Sequence, residues 1–306
     1  MAPGEASYPR DLIGYGGQPP DPAWPNDARI AVSIVLNVEE GGEYSLLHGD
    51  RHAEYALTDA GVTTPLQGGR DLNVESTFEY GSRAGFWTIM QLLRDRGCQA
   101  TIYAVGMALE RNPAAAAEIK ASGFDVVCHG YRWIDYHGVP EEVERAEIAR
   151  NAEAITTIIG RAPIGWYTGR PSANTRRLVV EHGGFLFDCD AYNDDLPYWT
   201  EVSGKPHLIV PYSLDNNDAR MTRGGDFATS NDFFTYCRDA FDWLYRQGRE
   251  GRPRMMSVGL HSRIIGRPGR IAGLARLLDH IQRHEGVWLT GRDAIARHWI
   301  EHHPPG

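Results

Sequence analysis

The chain has 306 residues, of which 42% are hydrophobic and 23% are charged, and its net charge at pH 7 is −9. This length can bury a full core, and the composition is that of an ordinary globular protein. The negative charge argues against nucleic acid or an anionic membrane as a partner, since both require a basic protein surface.

The sequence also bears on the compartment in which the protein works. No run approaches the roughly 20 apolar residues needed to span a bilayer, and the first ten residues are too polar for a secretory signal. The four cysteines, Cys98, Cys128, Cys189 and Cys237, are scattered without a C-x-x-C pair, which predicts reduced thiols. We therefore expect a cytoplasmic protein with a single domain that covers residues 1–306.

The first part of the chain predicts one strand between two irregular segments. Residues 1–28 are rich in proline and glycine and should form a surface arm without regular structure. The apolar run 30–36 predicts a strand buried on both faces, which is typical of a parallel sheet covered by helices. Residues 41–81 lack sustained periodicity and predict an insertion that caps one end of the sheet, because loops of this length are usually functional.

From Ser82 onward, helical and strand patterns alternate. Counted with their capping residues, the predicted helices cover residues 82–97, 112–123, 140–160, 174–182, 231–247, 271–284 and 293–301. The predicted strands cover residues 100–106, 124–128, 162–168, 185–189, 207–212, 255–260 and 287–289. About seven alternations of strand and helix, without an internal repeat, predict an α/β fold of the (β/α) barrel type.

Residues that follow the strands of a barrel lie on one face, whatever their separation in the sequence. Ionisable and aromatic residues follow nearly every predicted strand: Glu39 and Glu40; His129, Arg132, Trp133, Asp135 and His137; Trp166, Tyr167 and Arg170; the aspartate-rich segments 188–195 and 215–218; and His261 and Arg263. Singly, the aspartates could be turn formers, the tryptophans core residues and Arg263 part of a solvated basic loop. Together they predict an enzyme, although the roles of the two aspartate-rich segments stay open.

Three motifs at these strand ends resemble those of the polysaccharide deacetylase superfamily, whose fold is a distorted (β/α) barrel. Members carry T-F-D-D-G after the first strand, H-S/T-x-x-H after the third, and a late L-x-H. The first Asp is the general base, the second Asp and both His of the second motif hold a divalent metal, and the last His is the general acid. This chain matches in position rather than in letters: N-V-E-E-G aligns Glu39 and Glu40, H-G-Y-R-W aligns His129 and Trp133, and G-L-H aligns His261.

The departures from these motifs concern the metal. The indole of Trp133 has no lone pair for a metal, so the remaining carboxylate and imidazole fall short of the three protein ligands usual for catalytic zinc. The resemblance therefore implies no metal and no other cofactor. The Glu-His-Trp set and the strings H-G-Y-R-W-I-D-Y, G-W-Y-T-G-R-P-S and D-A-Y-N-D-D-L-P-Y-W are similar to the metal-independent allantoinases of this superfamily. That similarity implies hydrolysis of the hydantoin ring of allantoin to allantoate, in purine breakdown, by a homotetramer.

The resemblance implies that Glu39 and His261 are the catalytic acid–base pair. We favour Glu39 as the base, because repulsion from the adjacent carboxylate of Glu40 should raise its pKa, and we keep the reverse assignment open. The expected substrate-binding residues are Glu40, His129, Trp133, Trp166, Tyr167 and Arg170. The insertion 41–81 should close the groove that a polymer would need, so the expected partner is a small molecule.

Two alternatives remain at this point. The first is a metal-dependent deacetylase of chitin or peptidoglycan fragments, with Glu40, His129 and either Asp135 or His137 as rearranged ligands. The second is a binding protein that has lost its catalytic activity. The simultaneous presence of an acid and a base on facing strands, Glu39 and His261, argues against the second alternative.

Overall fold

The computed structural model describes residues 10–222 and 226–306. Its strands are β1 (Ile30–Val38), β2 (Thr101–Ala104), β3 (Asp125–Cys128), β4 (Gly165–Trp166), β5 (Phe187–Asp188), β6 (Tyr198–Val202), β7 (Lys205–Ile209), β8 (Arg254–His261) and β9 (Val287–Leu289). Its α-helices are α1 (Leu72–Tyr80), α2 (Phe86–Asp95), α3 (Gly106–Arg111), α4 (Pro113–Ser122), α5 (Glu141–Ile159), α6 (Thr175–His182), α7 (Ser230–Arg249), α8 (Pro268–Gln282) and α9 (Arg292–His302).

The strands form one curled sheet in the order β6-β7-β5-β4-β3-β2-β1-β8, with β9 pairing to the first residues of β1. Every pair is parallel except the β6–β7 hairpin, and helices cover the outer face of the sheet. This is the predicted distorted (β/α) barrel, with nine strands in the described part of the chain instead of about seven. The hairpin strand β6 is absent from the predicted elements, although the Ser203-Gly204 turn, with positive φ at both residues, is a hairpin signal.

Side chains of β1 alternate between two cores. Even-numbered residues of the strand pack outward against the helices, and odd-numbered residues point into the barrel. The inward series ends in the polar residue Asn37 and, one step beyond the strand, in Glu39. This alternation turns Glu39 toward the barrel interior and Glu40 away from it.

The predicted helix start at Ser82 is wrong. The helix begins ten residues earlier, at Leu72, where the side chain of Asp71 accepts hydrogen bonds from the backbone N–H groups of Asn73 and Val74. It continues through a π-helical turn, Gly81–Gly85, directly into α2. Gly81 allows close packing at this turn, since a Cβ on it would collide with the side chain of Glu40. The cap region 41–81 therefore consists of a loop followed by a helix.

Three further features complete the fold. The described part of the arm, residues 10–28, contains a single 3-10 turn at Pro25–Asp27, and Trp24 anchors it against Trp288 and Trp299. All four cysteines are free and buried, as predicted. None of the helices in the described part of the chain is long and apolar enough to cross a membrane.

Candidate active site

The C-terminal ends of β1, β3 and β8 bring Glu39, His129 and His261 to one cavity of about 810 Å3. Neighbouring strands in a parallel sheet end on the same side, so residues 222 positions apart in the chain meet here. The walls are formed by Trp133, Tyr167, Arg170, Asn37, Tyr212 and Asn217, among others, and residues of the segment 55–63 cover the cavity. The site therefore lies where α/β barrels carry their active sites.

Glu39 is almost fully buried and contacts three side chains that can carry a positive charge. Its Oε1 accepts a hydrogen bond from Nε2 of His129 at 3.0 Å and lies 3.5 Å from Nε2 of His261. Its Oε2 lies 2.7 Å from Nη1 of Arg263. Two imidazoles and a guanidinium thus surround one buried carboxylate.

Arg263 is a site residue that the motif comparison did not identify. The side chain is 1% exposed, so the alternative of a solvated basic loop is wrong for this residue. Nη1 lies between Glu39 and Glu40, 3.3 Å from Oε1 of the latter, and Nε donates to the backbone carbonyl of Leu57 at 2.9 Å. The guanidinium also lies over the ring of Trp133, 4.9 Å from its centroid. A fixed cation therefore occupies the space between the two carboxylates.

Asp218, in the second aspartate-rich segment, positions His261. Its Oδ1 accepts the Nδ1–H of His261 at 2.6 Å, and its Oδ2 accepts the backbone N–H groups of His261 and Ile265 at 2.7 and 3.1 Å. This bond fixes the orientation of the imidazole and directs Nε2 toward Glu39 and the cavity. Glu39, His261 and Asp218 thus form a continuous chain of charged groups.

The electrostatics of the site reverse one prediction. Burial alone would raise the pKa of Glu39, but the positive charges of Arg263 and His261 and the hydrogen bond from His129 hold this pKa well below its usual value. For Glu40 the outcome is the opposite: burial raises its pKa, and repulsion from the charge of Glu39 raises it further. The expected rise in the pKa of Glu39 is therefore wrong, because the nearby cations outweigh the repulsion between the two carboxylates.

His261 titrates in the opposite sense. Burial would lower its pKa, but the charges of Glu39 and Asp218 and the hydrogen bond to Asp218 raise the pKa to about 9. At neutral pH the pair therefore consists of a carboxylate at Glu39 and an imidazolium at His261. This is the protonation state required of a general base and a general acid that face each other.

The residues at the motif positions do not fit the divalent metal of the superfamily. Trp133 packs against Phe78 and offers no electron pair, so the donor set is one carboxylate and one imidazole. The guanidinium of Arg263 also stands against Glu40, the remaining carboxylate ligand, and would repel a second cation there. The chain thus supplies a cation of its own beside these carboxylates.

Asp135 and His137, the rearranged ligands considered above, lie elsewhere. Their side chains are 53% and 73% exposed, and Nδ1 of His137 bonds Oδ1 of Asp135 at 2.7 Å. Neither residue lines the cavity. This pair therefore adds no ligand to the site.

The structure brings most of the predicted binding residues together and excludes two. His129, Trp133, Tyr167 and Arg170 line the cavity. Trp166 belongs to the core between sheet and helices, and its indole N–H donates to Thr168, so its predicted place in the pocket wall is wrong. Glu40 lines a different, smaller cavity, because the strand alternation turns its side chain outward. The prediction that Glu40 contacts the substrate directly is therefore also wrong.

Two carboxylates of the first aspartate-rich segment, Asp188 and Asp190, have structural partners. Asp188 bonds the side chains of Arg176 and His207, at 2.8 and 2.9 Å. Asp190 accepts the backbone N–H groups of Thr168 and Gly169, both at 2.8 Å. These carboxylates hold the loop that carries Arg170, and neither is among the cavity-lining residues.

The cover of the cavity is tied to the site by two cationic side chains. Arg170 lies over the ring of Trp133, 3.9 Å from its centroid, and its Nη1 is 3.3 Å from Oε2 of the buried Glu54. Leu57, whose carbonyl accepts from Arg263, has a φ of 50°, a conformation that a branched residue rarely adopts. The segment therefore closes the cavity with a strained backbone at Leu57, and the hydrogen bond from Arg263 holds that residue in place.

Comparisons with known proteins agree with this fold. The polysaccharide deacetylase family model matches residues 68–183. A Schizosaccharomyces pombe protein, described provisionally as a polysaccharide deacetylase, is 46% identical over 313 residues, covering 96% of this chain and 98% of its own. A solved Pseudomonas aeruginosa PAO1 protein, also assigned provisionally to the polysaccharide deacetylases, is 50% identical with a TM-score of 0.95, over 98% of this chain and 100% of its own. A solved allantoinase, PuuE, is 51% identical with a TM-score of 0.95, over 98% and 99%.

Proposed function

The chain belongs to the polysaccharide deacetylase family and is a hydrolase of that superfamily, and from this premise we propose that it opens the hydantoin ring of allantoin to give allantoate without a catalytic metal. The observation that carries the proposal is the buried ion pair of Glu39 and His261 beside Arg263, in place of a metal ligand set. The similarity to the PuuE allantoinase supports the choice of substrate.

Hydrolysis of a cyclic amide needs an activated water, a stabilised oxyanion and a proton for the leaving nitrogen. We assign the first task to Glu39, whose carboxylate is ionised at neutral pH and borders the cavity. It takes a proton from water as the water oxygen bonds to the ring carbonyl carbon. The oxyanion that develops nearby raises the pKa of Glu39 by like-charge repulsion, and this strengthens the base as the reaction proceeds.

His261 completes the reaction. Its Nε2–H faces the cavity while Asp218 holds Nδ1, so the imidazolium can stabilise the oxyanion and then donate its proton to the ring nitrogen as the C–N bond breaks. A pKa of about 9 keeps this proton available at neutral pH. The first product is a carboxylic acid, which ionises to the carboxylate by releasing its proton to solvent, and the leaving ring nitrogen becomes a free ureido nitrogen. The proton that Glu39 accepted returns to His261 and restores the starting state.

The shape of the cavity favours a small, flat and polar substrate. A volume of about 810 Å3 lies within the ~300–1,000 Å3 range of small-molecule sites, and the segment 55–63 closes it from one side. Trp133 supplies a flat wall, and the guanidinium of Arg170 supplies donors for carbonyl oxygens. An extended polymer would need an open groove on both sides of the catalytic pair.

Two parts of the proposal concern the protein as a whole. We propose that it is cytoplasmic, because its cysteines are reduced and scattered. We also propose that it assembles as a homotetramer, which rests on the family resemblance alone. Sedimentation of the purified protein would contradict the second statement if it gave a monomer at micromolar concentration.

The runner-up is a deacetylase of acetylated sugars, which the provisional descriptions of two relatives favour. A substrate panel separates the two activities. Purified protein would be assayed with allantoin, hydantoin and dihydrouracil, and in parallel with N-acetylglucosamine oligomers of chitin type. We expect ring opening of allantoin and no release of acetate. Release of acetate without ring opening would overturn the proposal, and a Glu39→Gln sample would exclude a contaminating enzyme.

A further inference from the structure

A group of two histidines and one aspartate lies outside the catalytic cavity, where α7 and α8 pack against each other on the outer layer. Within residues 10–222 and 226–306 it is the one set of three His, Cys, Asp or Glu side chains whose ligand atoms lie within 4.8 Å of one another. Asp242 is on α7, His280 is on α8, and His284 follows two residues after the end of α8. We propose that these three residues form a structural binding site for a divalent transition metal such as Zn2+.

The geometry of His284 is that of a prepared ligand. Its Nδ1–H donates to the backbone carbonyl of His280 at 2.9 Å, which leaves the lone pair on Nε2 for a metal. Metal-binding histidines usually donate their other ring N–H to a carbonyl or carboxylate, since this fixes the ring and the tautomer. The bond also holds the two imidazoles together, with ring centroids 4.8 Å apart.

Asp242 and His280 provide the other two ligand atoms. Oδ1 of Asp242 lies 2.6 Å from Nε2 of His280, so a proton now sits where the two ligands would share an ion. Binding would release that proton and widen the contact slightly, because zinc ligands stand about 2.0–2.2 Å from the metal. The side chains are 45% and 21% exposed, which leaves a path for the ion and room for water as a fourth ligand.

Aromatic side chains restrict the movement of both imidazoles. The buried Phe241 meets His280 and His284 edge-on, at centroid distances of 5.6 and 5.1 Å, and Tyr245 meets His284 at 4.9 Å. Two imidazoles and a carboxylate are a common zinc donor set, and imidazole ligands also suit Ni2+ and Cu2+. The ion would cross-link α7 to α8, and neither helix supplies a catalytic residue, so its effect should be on stability and not on turnover.

The test is calorimetric titration of the full chain with ZnCl2 after removal of metals by chelator, together with thermal unfolding. We expect a single tight ion per chain and a rise in Tm of a few degrees, with kcat unchanged. His284→Ala should weaken binding by at least about tenfold, because loss of even an outer-shell partner typically costs 10–100-fold. The matched control is His302→Ala, since Nδ1 of His302 makes the same contact with the carbonyl of His298 at 2.9 Å.

Three results would overturn the site. One is equal affinity for Zn2+ in the wild type, His284→Ala and Asp242→Asn. Asp242→Asn is included so that the test still holds if His284→Ala does not fold. Another is binding that survives both variants and is lost in His129→Asn, which would place the ion in the catalytic cavity. If His302→Ala weakened binding as much as His284→Ala, the assignment to these three residues would also be wrong.

Discussion

Asp218→Asn isolates the electrostatic role of the aspartate behind His261. The wild-type carboxylate accepts three N–H groups, from the imidazole and from the backbone of His261 and Ile265. Asparagine keeps the size and one acceptor oxygen, but it loses the negative charge and turns an NH2 group toward a backbone donor. The pKa of the His261 imidazolium should therefore fall.

The size of the effect follows from the distance. Unit charges about 4 Å apart attract by about 4 kcal/mol at an effective dielectric constant of about 20, which is about three pKa units at about 1.36 kcal/mol each. The measured shift should be smaller, because the asparagine oxygen can still accept the Nδ1–H of His261 and so favours the cation in part. We expect the pKa of His261 to drop by roughly two units from its wild-type value of about 9.

The assay is the pH dependence of kcat/KM for allantoin, which reports the pKa values of the acid and base in the free enzyme. An acid catalyst is active below its pKa and inactive above it, so the wild-type rate should decline as pH rises through about 9. In Asp218→Asn the same decline should occur near pH 7. The acidic limb should stay below the usual range of a glutamate in both proteins, because the pKa of Glu39 is held low.

Asp125→Asn is the matched control for the loss of a buried carboxylate. Asp125 begins β3, at the end of the strands opposite the cavity, and accepts hydrogen bonds from the side chain of Thr101. Its replacement should lower stability without moving the alkaline limb. An alkaline limb that stayed near its wild-type position in folded Asp218→Asn would refute the assignment of His261 as the acid.

Three further predictions concern the carboxylates and the cation between them. Glu39→Gln should lower kcat by ~10²–10⁴-fold with little change in KM, measured by steady-state kinetics, and an unchanged kcat would remove Glu39 from the chemistry. Arg263→Met should lower the free energy of unfolding, measured in urea, by about 3–5 kcal/mol, because it leaves two buried carboxylates without their cation. Arg267 is half-buried and pairs with the partly exposed Asp59, so Arg267→Met should lower the free energy of unfolding by only about 0–1 kcal/mol. By calorimetry, Trp133→His alone should bind no more divalent ions than the wild type, since Arg263 repels a cation from Glu40. The double variant Trp133→His/Arg263→Met should bind one ion more, and an additional tight ion in the single variant would contradict the role of Arg263.

The sequence predicts the barrel and the positions of Glu39 and His261 because both depend on local patterns. Alternating strands and helices set the architecture, and residues directly after strands, such as Glu39, His129 and His261, reach the same face in any barrel. The helix that begins at Leu72 is missed because residues 41–81 show no sustained helical periodicity, and only the packed structure shows why glycine is required at position 81.

The charged residues inside the barrel could not be predicted from local sequence patterns. Arg263 and Asp218 become site residues through contacts across 223 and 43 sequence positions, and no local pattern separates a buried arginine from a solvated one. The pKa order of Glu39 and Glu40 also depends on which carboxylate faces the cations. Strand alternation after β1 gives that signal in part, since it predicts opposite directions for adjacent residues.

The central claim is that side chains alone catalyse the reaction, and it is tested most directly by measuring turnover and metal content in the same samples. The protein would be purified, dialysed against excess chelator, analysed for bound metals, and assayed for allantoate formation before and after addition of Zn2+, Mn2+ or Co2+. We predict that kcat in metal-free samples equals that of untreated enzyme and that no added ion increases it. Loss of activity with the chelator, restored in proportion to the metal bound at the catalytic cavity, would contradict the account.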